Sequence, residues 1–357
     1  MIGLLFHGPE VFDSRWAQKI ITATKKIDSV KCVLAGTMGR TAVIDSGLEN
    51  IEFWDEMPSS CLSRMALKLK NIIIVNYGKT LHSGLTFGNM IIERAGLKTP
   101  ILQIECSHPC FVEWNDTNNP VIISILQKMG IKQKKPHKQI DADSPLVWKE
   151  NKKTYRKITT ANINDFILVD GIIVGTALKT EIVLISKGKH FIEIQGAQIK
   201  AHGIEKLERF GGINLETVKL TTSFFLRQTA HMPRIKKTTG TKITFIDHAG
   251  MYIYNLINDT KGVVTVGDDT TSIVGDIMYR FQIPVIGIID GDEDVIHKNA
   301  HITPGSMKLT VKADDIFGLK VFREIFNNKK NIEMDFKALK DQIIKMAKKD
   351  LVKIQHY

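Results

Sequence analysis

The 357-residue chain reads as an α/β protein: two parallel-sheet, Rossmann-like domains separated by a small antiparallel β domain. Three observations predict this. Short apolar runs alternate with helix-length amphipathic windows at both ends of the chain, as in a parallel sheet covered by helices on both faces. Between these regions lies a stretch of short β-rich segments cut by Gly and Lys turns. Hydrophobic residues make up 43% of the chain, enough at this length for more than one core.

In the first region, residues 1–115, strands are expected at Gly3–Phe6, Val30–Ala35, Ile51–Trp54, Ile72–Asn76 and Ile101–Glu105. Helical windows fall near Phe12–Ile27, Arg40–Ser46, Ser60–Lys70 and Gly84–Ala95. Residues 116–158, crowded with lysine and containing Pro136 and Pro145, read as an exposed connection, with a short helix at Pro120–Met129. Residues 159–226 supply the antiparallel strands Phe166–Val174, Glu181–Ser186, Phe191–Gln195 and Thr217–Thr222. A hairpin is expected around Asp170-Gly171 and a helical turn near Ile204–Phe210. Residues 240–357 return to alternation. The strands are Ile243–Ile246, Val263–Val266, Val285–Ile289 and Met307–Val311; the helices are Gly250–Ile257, Ser272–Phe281, Asp315–Phe326 and an amphipathic Asp335–Lys353.

No run approaches the ~18 apolar residues a membrane span needs. The first residues lack the basic flank and cleavage site of a signal peptide, so the expectation is a cytoplasmic protein. Four cysteines are too few for a disulfide framework. Cys106-Ser107-His108-Pro109-Cys110 offers one potential ligand pair where structural zinc uses two, so buried thiols beside a turn are expected there. The formal charge of +11 fits nucleic acid, an anionic small molecule, or a lysine-rich solvated surface.

Ligands of open parallel sheets bind at the carboxyl ends of strands, and both outer regions place polar residues there. The first carries His7-Gly8-Pro9-Glu10, then Gly36-Thr37-Met38-Gly39-Arg40-Thr41, then Gly78-Lys79-Thr80 with His82 and Ser83. Glycines that admit backbone amides, hydroxyls, a following helix N-terminus and the cations Arg40 and Lys79 suit an anion. Gly36, Thr37, Gly39, Arg40, Thr41, Gly78, Lys79, Thr80 and Ser83 are therefore candidate ligand contacts. Ile74 stands where the first glycine of a Walker A loop belongs, so this is not a P-loop. His7, Glu10, His82 and Asp247 are candidate proton-transfer groups, with a satisfied structural histidine the competing reading for His7 and His82.

The last region reverses the sign. Asp247 follows its first strand, Gly267-Asp268-Asp269 its second and Asp290-Gly291-Asp292-Glu293-Asp294 its third. Crowded carboxylates repel unless a cation or proton intervenes, and oxygen ligands beside phosphate suit Mg²⁺. Asp268, Asp290, Asp292 and Asp294 are the candidate ligands; N-capping alone is the competing explanation for Asp268.

Asp247, Gly267 and Asp290-Gly291-Asp292 fall in the order of the Toprim domain of topoisomerases and primases, which this region resembles over about fifty residues. That family opens with glutamate, and Asp247 is shorter. His7-Gly8-Pro9-Glu10, Gly36-Thr37-Met38-Gly39-Arg40, Gly78-Lys79-Thr80, Ser83-Gly84, His202-Gly203-Ile204-Glu205-Lys206-Leu207, Gly267-Asp268-Asp269-Thr270-Thr271 and Asp290-Gly291-Asp292 also carry a resemblance. Nearly the whole chain resembles an uncharacterised protein family of methanogenic archaea. The resemblance implies an archaeal cytoplasmic protein and no particular activity.

The leading expectation is a Mg²⁺-dependent enzyme or binding protein acting on a phosphorylated small molecule or nucleotide. A nucleic-acid-binding or Toprim-like phosphodiester-processing protein is the first alternative, drawing on Arg234-Ile235-Lys236-Lys237 and the lysine-rich last helix. A non-catalytic partner of an archaeal complex, or a homo-oligomer, is the second.

Overall fold

A computed structural model describes residues 1–36, 39–115, 119–136, 146–158, 161–209, 211–218, 220–222, 227, 232–247, 253–256, 259–291 and 300–357. The chain forms two compact units, Met1–His231 and Met232–Tyr357.

Unit 1 opens with β1 (Ile2–His7), β2 (Val30–Ala35), β3 (Ile51–Trp54), β4 (Asn71–Asn76) and β5 (Ile101–Glu105), all parallel. β6 (Cys110–Trp114) pairs antiparallel with β5, and β7 (Lys132–Lys134) parallel with β6. The order is β3-β2-β1-β4-β5-β6-β7. β1, β2 and β4 read as nearly continuous apolar runs because alternate residues feed two cores. Leu4, Phe6, Leu34, Ile73 and Val75 face one, while Leu5, Val33, Ile72 and Ile74 face the other. The helices are α1 (Glu10–Asp13), α2 (Trp16–Thr24), α3 (Gly39–Ser46), α4 (Pro58–Ala66), α5 (Leu81–Ala95) and α6 (Pro120–Lys128). The single window expected over Phe12–Ile27 is two helices. Arg15 between them is left-handed (φ 61°), and the Ser14 hydroxyl donates back to the Glu10 carbonyl at 2.6 Å.

The lysine-rich residues 116–158 carry more structure than a connection. Besides α6 and β7 they hold β8 (Val147–Glu150) and β9 (Lys153–Ile158). Lysines there decorate a sheet: Lys149 pairs with Glu216 at 3.0 Å and Lys157 with Glu181 at 2.9 Å. The further strands of unit 1 are β10 (Phe166–Val169), β11 (Ile172–Ala177), β12 (Ile182–Lys187), β13 (His190–Gln195), β14 (Ala197–Ile199) and β15 (Leu220–Thr222), with α7 (Ala201–Arg209). They form two four-stranded sheets, β14-β11-β10-β15 and β13-β12-β9-β8, around a core of Ile167, Val174, Ile182, Leu184 and Ile194. Asp170 and Gly171 both have positive φ, as the expected two-residue hairpin requires.

Unit 2 holds β16 (Lys242–Asp247), α8 (Ile253–Leu256), β17 (Thr260–Val266), α9 (Asp268–Tyr279), β18 (Val285–Ile289), β19 (Met307–Val311), α10 (Asp314–Glu324), β20 (Asn331–Ile332), α11 (Phe336–Ala347) and β21 (Leu351–His356). The order is β20-β16-β17-β18-β19-β21, the middle four parallel and the outer two antiparallel. α9 packs on one face, where Gly287 leaves room for Thr271; α10 packs on the other, where Gly318 meets Val266. The terminal helix expected through Lys353 stops at Ala347. Asp335 caps its start, accepting from the Ala338 amide at 2.9 Å, and the remaining residues close the sheet edge as β21.

Candidate functional site

In unit 1 the strand order reverses between β1 and β4, and such a reversal opens a crevice at the carboxyl ends of the two strands. His7 ends β1. Gly8, with φ 83°, turns the chain from β1 into α1, whose first residue is Glu10. Gly36 (φ 84°) follows β2, and Gly39 opens α3. Arg40 and Thr41 are buried, with the Arg40 guanidinium 5.2 Å from the centre of the Phe53 ring. Thr37 lies outside the described residues.

After β4 come Gly78, Lys79 and Thr80. Thr80 caps α5, accepting from the Ser83 amide at 3.1 Å while its own amide donates to Ser83 Oγ at 3.1 Å. Lys79 Nζ donates to Asp165 Oδ1 at 2.7 Å, so the cation expected to meet a ligand already has a protein carboxylate within reach. His82 is exposed on the first turn of α5.

A buried polar network beneath this loop escaped the sequence reading. Glu105, fully buried, accepts at Oε1 from the Gly78 amide (2.9 Å), the Ser107 amide (2.9 Å) and the Ser107 hydroxyl (2.6 Å), and at Oε2 from Asn76 Nδ2 (2.5 Å). Gln103 donates to Asn76 Oδ1 (3.0 Å) and the Gly84 carbonyl (2.8 Å), and accepts from Trp114 Nε1 (3.2 Å). Gly84 and Gly88 let α5 lie against these side chains. A Cβ on Gly84 would fall 1.9 Å from Glu105 Oε2, and one on Gly88 1.8 Å from Gln103 Oε1. The legible signal is a pair of polar residues two apart in a buried strand, matched by glycines four apart in the preceding helix.

Burial separates the titrations in the crevice. His7, stacked on Phe87 with ring centres 4.1 Å apart, is pulled down to about 4 and stays neutral at pH 7. Glu10 is pushed up to about 7, chiefly by burial, against the pull of a hydrogen bond from its own backbone amide; Asp13 adds to the rise, and Arg227 and Lys79 oppose it. Burial also raises Glu105, despite its hydrogen bonds from Ser107, Gly78 and Asn76. Cys106 and Cys110 are buried free thiols, both pushed up by burial, and His108 Nδ1 lies 3.1 Å from Ser107 Oγ.

Unit 2 gathers acids at the carboxyl edge of its sheet. Asp268 opens α9 after β17, Asp290 follows β18, and Asp314 opens α10 after β19. One carboxylate oxygen from each lies within 4.8 Å of the others. Asp268 and Asp314 are buried and Asp290 is half-buried. Asp268 Oδ2 accepts from the amides of Asp290 (3.2 Å) and Gly291 (3.1 Å), which locks the turn after β18 to the start of α9. Asp314 Oδ1 accepts from the Asp315 amide at 2.7 Å. The positive ends of two helices, 12 and 11 residues long, thus meet three carboxylates and offset part of their repulsion. Such a set of hard oxygen donors suits Mg²⁺.

Asp268 and Asp290 were legible in the sequence; Asp314 was missed, although Asp314-Asp315 repeats after β19 the acid pair that Asp268-Asp269 forms after β17. Asp292 and Asp294 lie outside the described residues. Asp247 is exposed at the end of β16 and is not one of the three. The cluster therefore draws its third acid from the β19 turn, where a Toprim order would take it from β16.

Fold and site together define an α/β protein with two parallel-containing sheets, a small antiparallel region and a carboxylate cluster at one strand edge. The chain belongs to the family described as "Uncharacterized protein conserved in archaea (DUF2117)", which matches residues 4–329. It is 38% identical over 341 residues to the uncharacterized protein MJ0065 of Methanocaldococcus jannaschii, covering 92% of each chain. No solved structure matches it. Among the described residues no helix is long and apolar enough to cross a membrane.

Proposed function

We propose that unit 2 binds a divalent cation, Mg²⁺, through Asp268, Asp290 and Asp314, and that the protein acts on a phosphorylated small molecule or nucleotide. The observation that carries this reading is the convergence of three carboxylates, two of them buried, within 4.8 Å. A cation relieves their repulsion, and Mg²⁺ held by few carboxylates keeps waters and open positions through which phosphate oxygens coordinate. Phosphoryl chemistry needs mainly positioning and charge neutralisation, which such an ion supplies. In unit 1, the loops bearing Gly36, Gly39, Arg40, Lys79 and Thr80 are the candidate holders of an anionic group. The metal reading requires nothing from them.

The test is calorimetric titration of Mg²⁺, and of Mn²⁺ as a spectroscopic substitute, into the full chain and into Asp290→Asn and Asp314→Asn. One strong site weakened at least tenfold in both variants is expected. A panel of nucleotides and phosphorylated metabolites then follows, with and without Mg²⁺. Equal binding by all three proteins would refute the site, and metal binding without a Mg²⁺-dependent response to any phosphorylated compound would refute the substrate class.

A further inference from the structure

The outer face of the sheet β13-β12-β9-β8 carries an aromatic pair that no core uses. Alternation along β9 turns Ile158 toward the apolar core and Tyr155 to the opposite face. Trp148 stands directly across from Tyr155 on β8 and shares that face. The two rings are nearly parallel, their planes 8° apart, with centres 5.1 Å apart. That is the spacing of neighbouring strands, so the stack runs across the sheet. Ile185, opposite Tyr155 on β12 and 3% exposed, continues the row inward. β8 is the outermost strand, so no strand flanks the outward face of Trp148. Both rings are half-buried and belong to none of the apolar cores, and among the described residues neither meets a third ring or a cation.

Two hairpin turns at one end of this sheet add charge. Asn151 and Lys152, both with positive φ, join β8 to β9, and Gly188-Lys189 joins β12 to β13. β9 and β12 are antiparallel, with Thr154 opposite Ser186, so both turns lie at the same end. Lys149, Lys152, Lys153, Lys187 and Lys189 gather there. Glu216 pairs with Lys149 at 3.0 Å, Glu150 stands opposite Lys153 in register, and Glu208 is taken by His190 and the Phe191 amide. Lys152, Lys187 and Lys189 are exposed, and among the described residues none of them pairs with a carboxylate. The two turns are two strand spacings apart, roughly 10 Å, which is further than a single phosphate group reaches. A chain of phosphates spans it.

We propose that this face of unit 1 binds single-stranded nucleic acid, with a base stacked on the outward face of Trp148 and the backbone running past Lys152, Lys187 and Lys189. Every base has a π-face, so an aromatic platform beside unmatched cations takes single strands without reading their sequence. A duplex keeps its base faces covered by its own stack and offers only phosphates. The surface is independent of the carboxylate cluster in unit 2.

The test is fluorescence anisotropy of labelled oligouridylate and oligodeoxythymidylate, about fifteen nucleotides long, with the full chain in EDTA at low salt. Wild type is expected to bind them more tightly than a duplex of the same length, and uridine or thymidine monophosphate should compete poorly. Trp148→Ala should weaken binding about tenfold, the stacking of one base being lost, and Trp148→Phe should restore most of it. Lys152→Gln, Lys187→Gln and Lys189→Gln together should weaken binding and flatten the slope of log affinity against log salt by about two. This triple variant changes only exposed side chains and keeps the test open if Trp148→Ala folds poorly. Binding of either strand type supports the surface, and a preference names the sugar. Affinity unmoved by Trp148→Ala, or a duplex bound as tightly as single strands, would overturn the stacking role. An unchanged salt slope would overturn the backbone path, and a monophosphate that competes as well as the oligomer would overturn the polymer. No binding by wild type would overturn the surface itself. An unchanged Mg²⁺ titration in these variants separates each result from the metal reading.

Discussion

Replacing Asp290 by asparagine separates a cation site from three acids that merely cap and brace their neighbours. The substitution keeps shape and removes one of three charges whose oxygens lie within 4.8 Å. At that separation a charge pair repels by roughly 1 kcal/mol at the dielectric of water and about 3.5 kcal/mol at an effective value of 20. Asp290 is half-buried, which places it toward the lower figure. The helix ends take back ~0.3–1 kcal/mol each. In EDTA at pH 8, Asp290→Asn should therefore be more stable than wild type by about 1–2 kcal/mol. With Mg²⁺ at a hundred times its dissociation constant, wild type gains ~2.7 kcal/mol and the variant little, so the order inverts. Urea unfolding followed by circular dichroism measures both differences. The four tryptophans, Trp16, Trp54, Trp114 and Trp148, all belong to unit 1, so their fluorescence follows unit 1 separately. A variant destabilised in EDTA and indifferent to Mg²⁺ would refute the reasoning and leave the acids a structural role.

Three further outcomes are expected. Arg227→Met leaves Asp13 and Asp45 buried without their guanidinium and should cost about 3–5 kcal/mol, read from tryptophan fluorescence in urea and reduced in an Asp13→Asn background. Gly88→Ala drives a methyl to 1.8 Å from Gln103 Oε1 and should cost about 1–3 kcal/mol. Adding Gln103→Ala makes room, so the double variant should be less destabilised than the sum of the singles. Glu10, raised from 4.5 to about 7 by folding, contributes stability that is complete below pH 4.5 and lost as pH rises to 7. The advantage of Glu10→Gln over wild type should accordingly grow between pH 5 and 8, by at most on the order of 3 kcal/mol. A flat difference across that range would show that Glu10 titrates normally.

What the sequence discloses here follows the range of the interactions. β1, β2 and β4 are legible because a strand buried on both faces needs apolar residues at nearly every position. The Asp170-Gly171 turn is legible because positive φ at two successive residues demands such a pair. β21 is harder. Its alternation in Leu351–His356 follows directly on the periodicity of α11, and only the free edge of β19 selects strand over helix. The break between α1 and α2 rests on a left-handed Arg15, a residue type that gives no warning of it. At the sites, Asp268 and Asp290 stand out as acids after apolar strands. Asp314 joins them only once β19 is known to lie beside β18. Gln103 and Glu105 look like errors in a buried strand until Gly84 and Gly88 are seen to face them, and nothing near position 227 announces partners at 13 and 45.

The Arg227 grip bears on how unit 1 is made. Its partners lie 182 and 214 residues earlier in the chain. A ribosome elongating at ~5–20 residues per second delivers Arg227 roughly 10–40 s after Asp13. Until then the guanidinium that Asp13 of α1 and Asp45 of α3 share is missing, so during synthesis the first sheet can gather its strands before the contact that ties these two helices together exists. A fragment ending after β7 would lack that tie between α1 and α3 altogether.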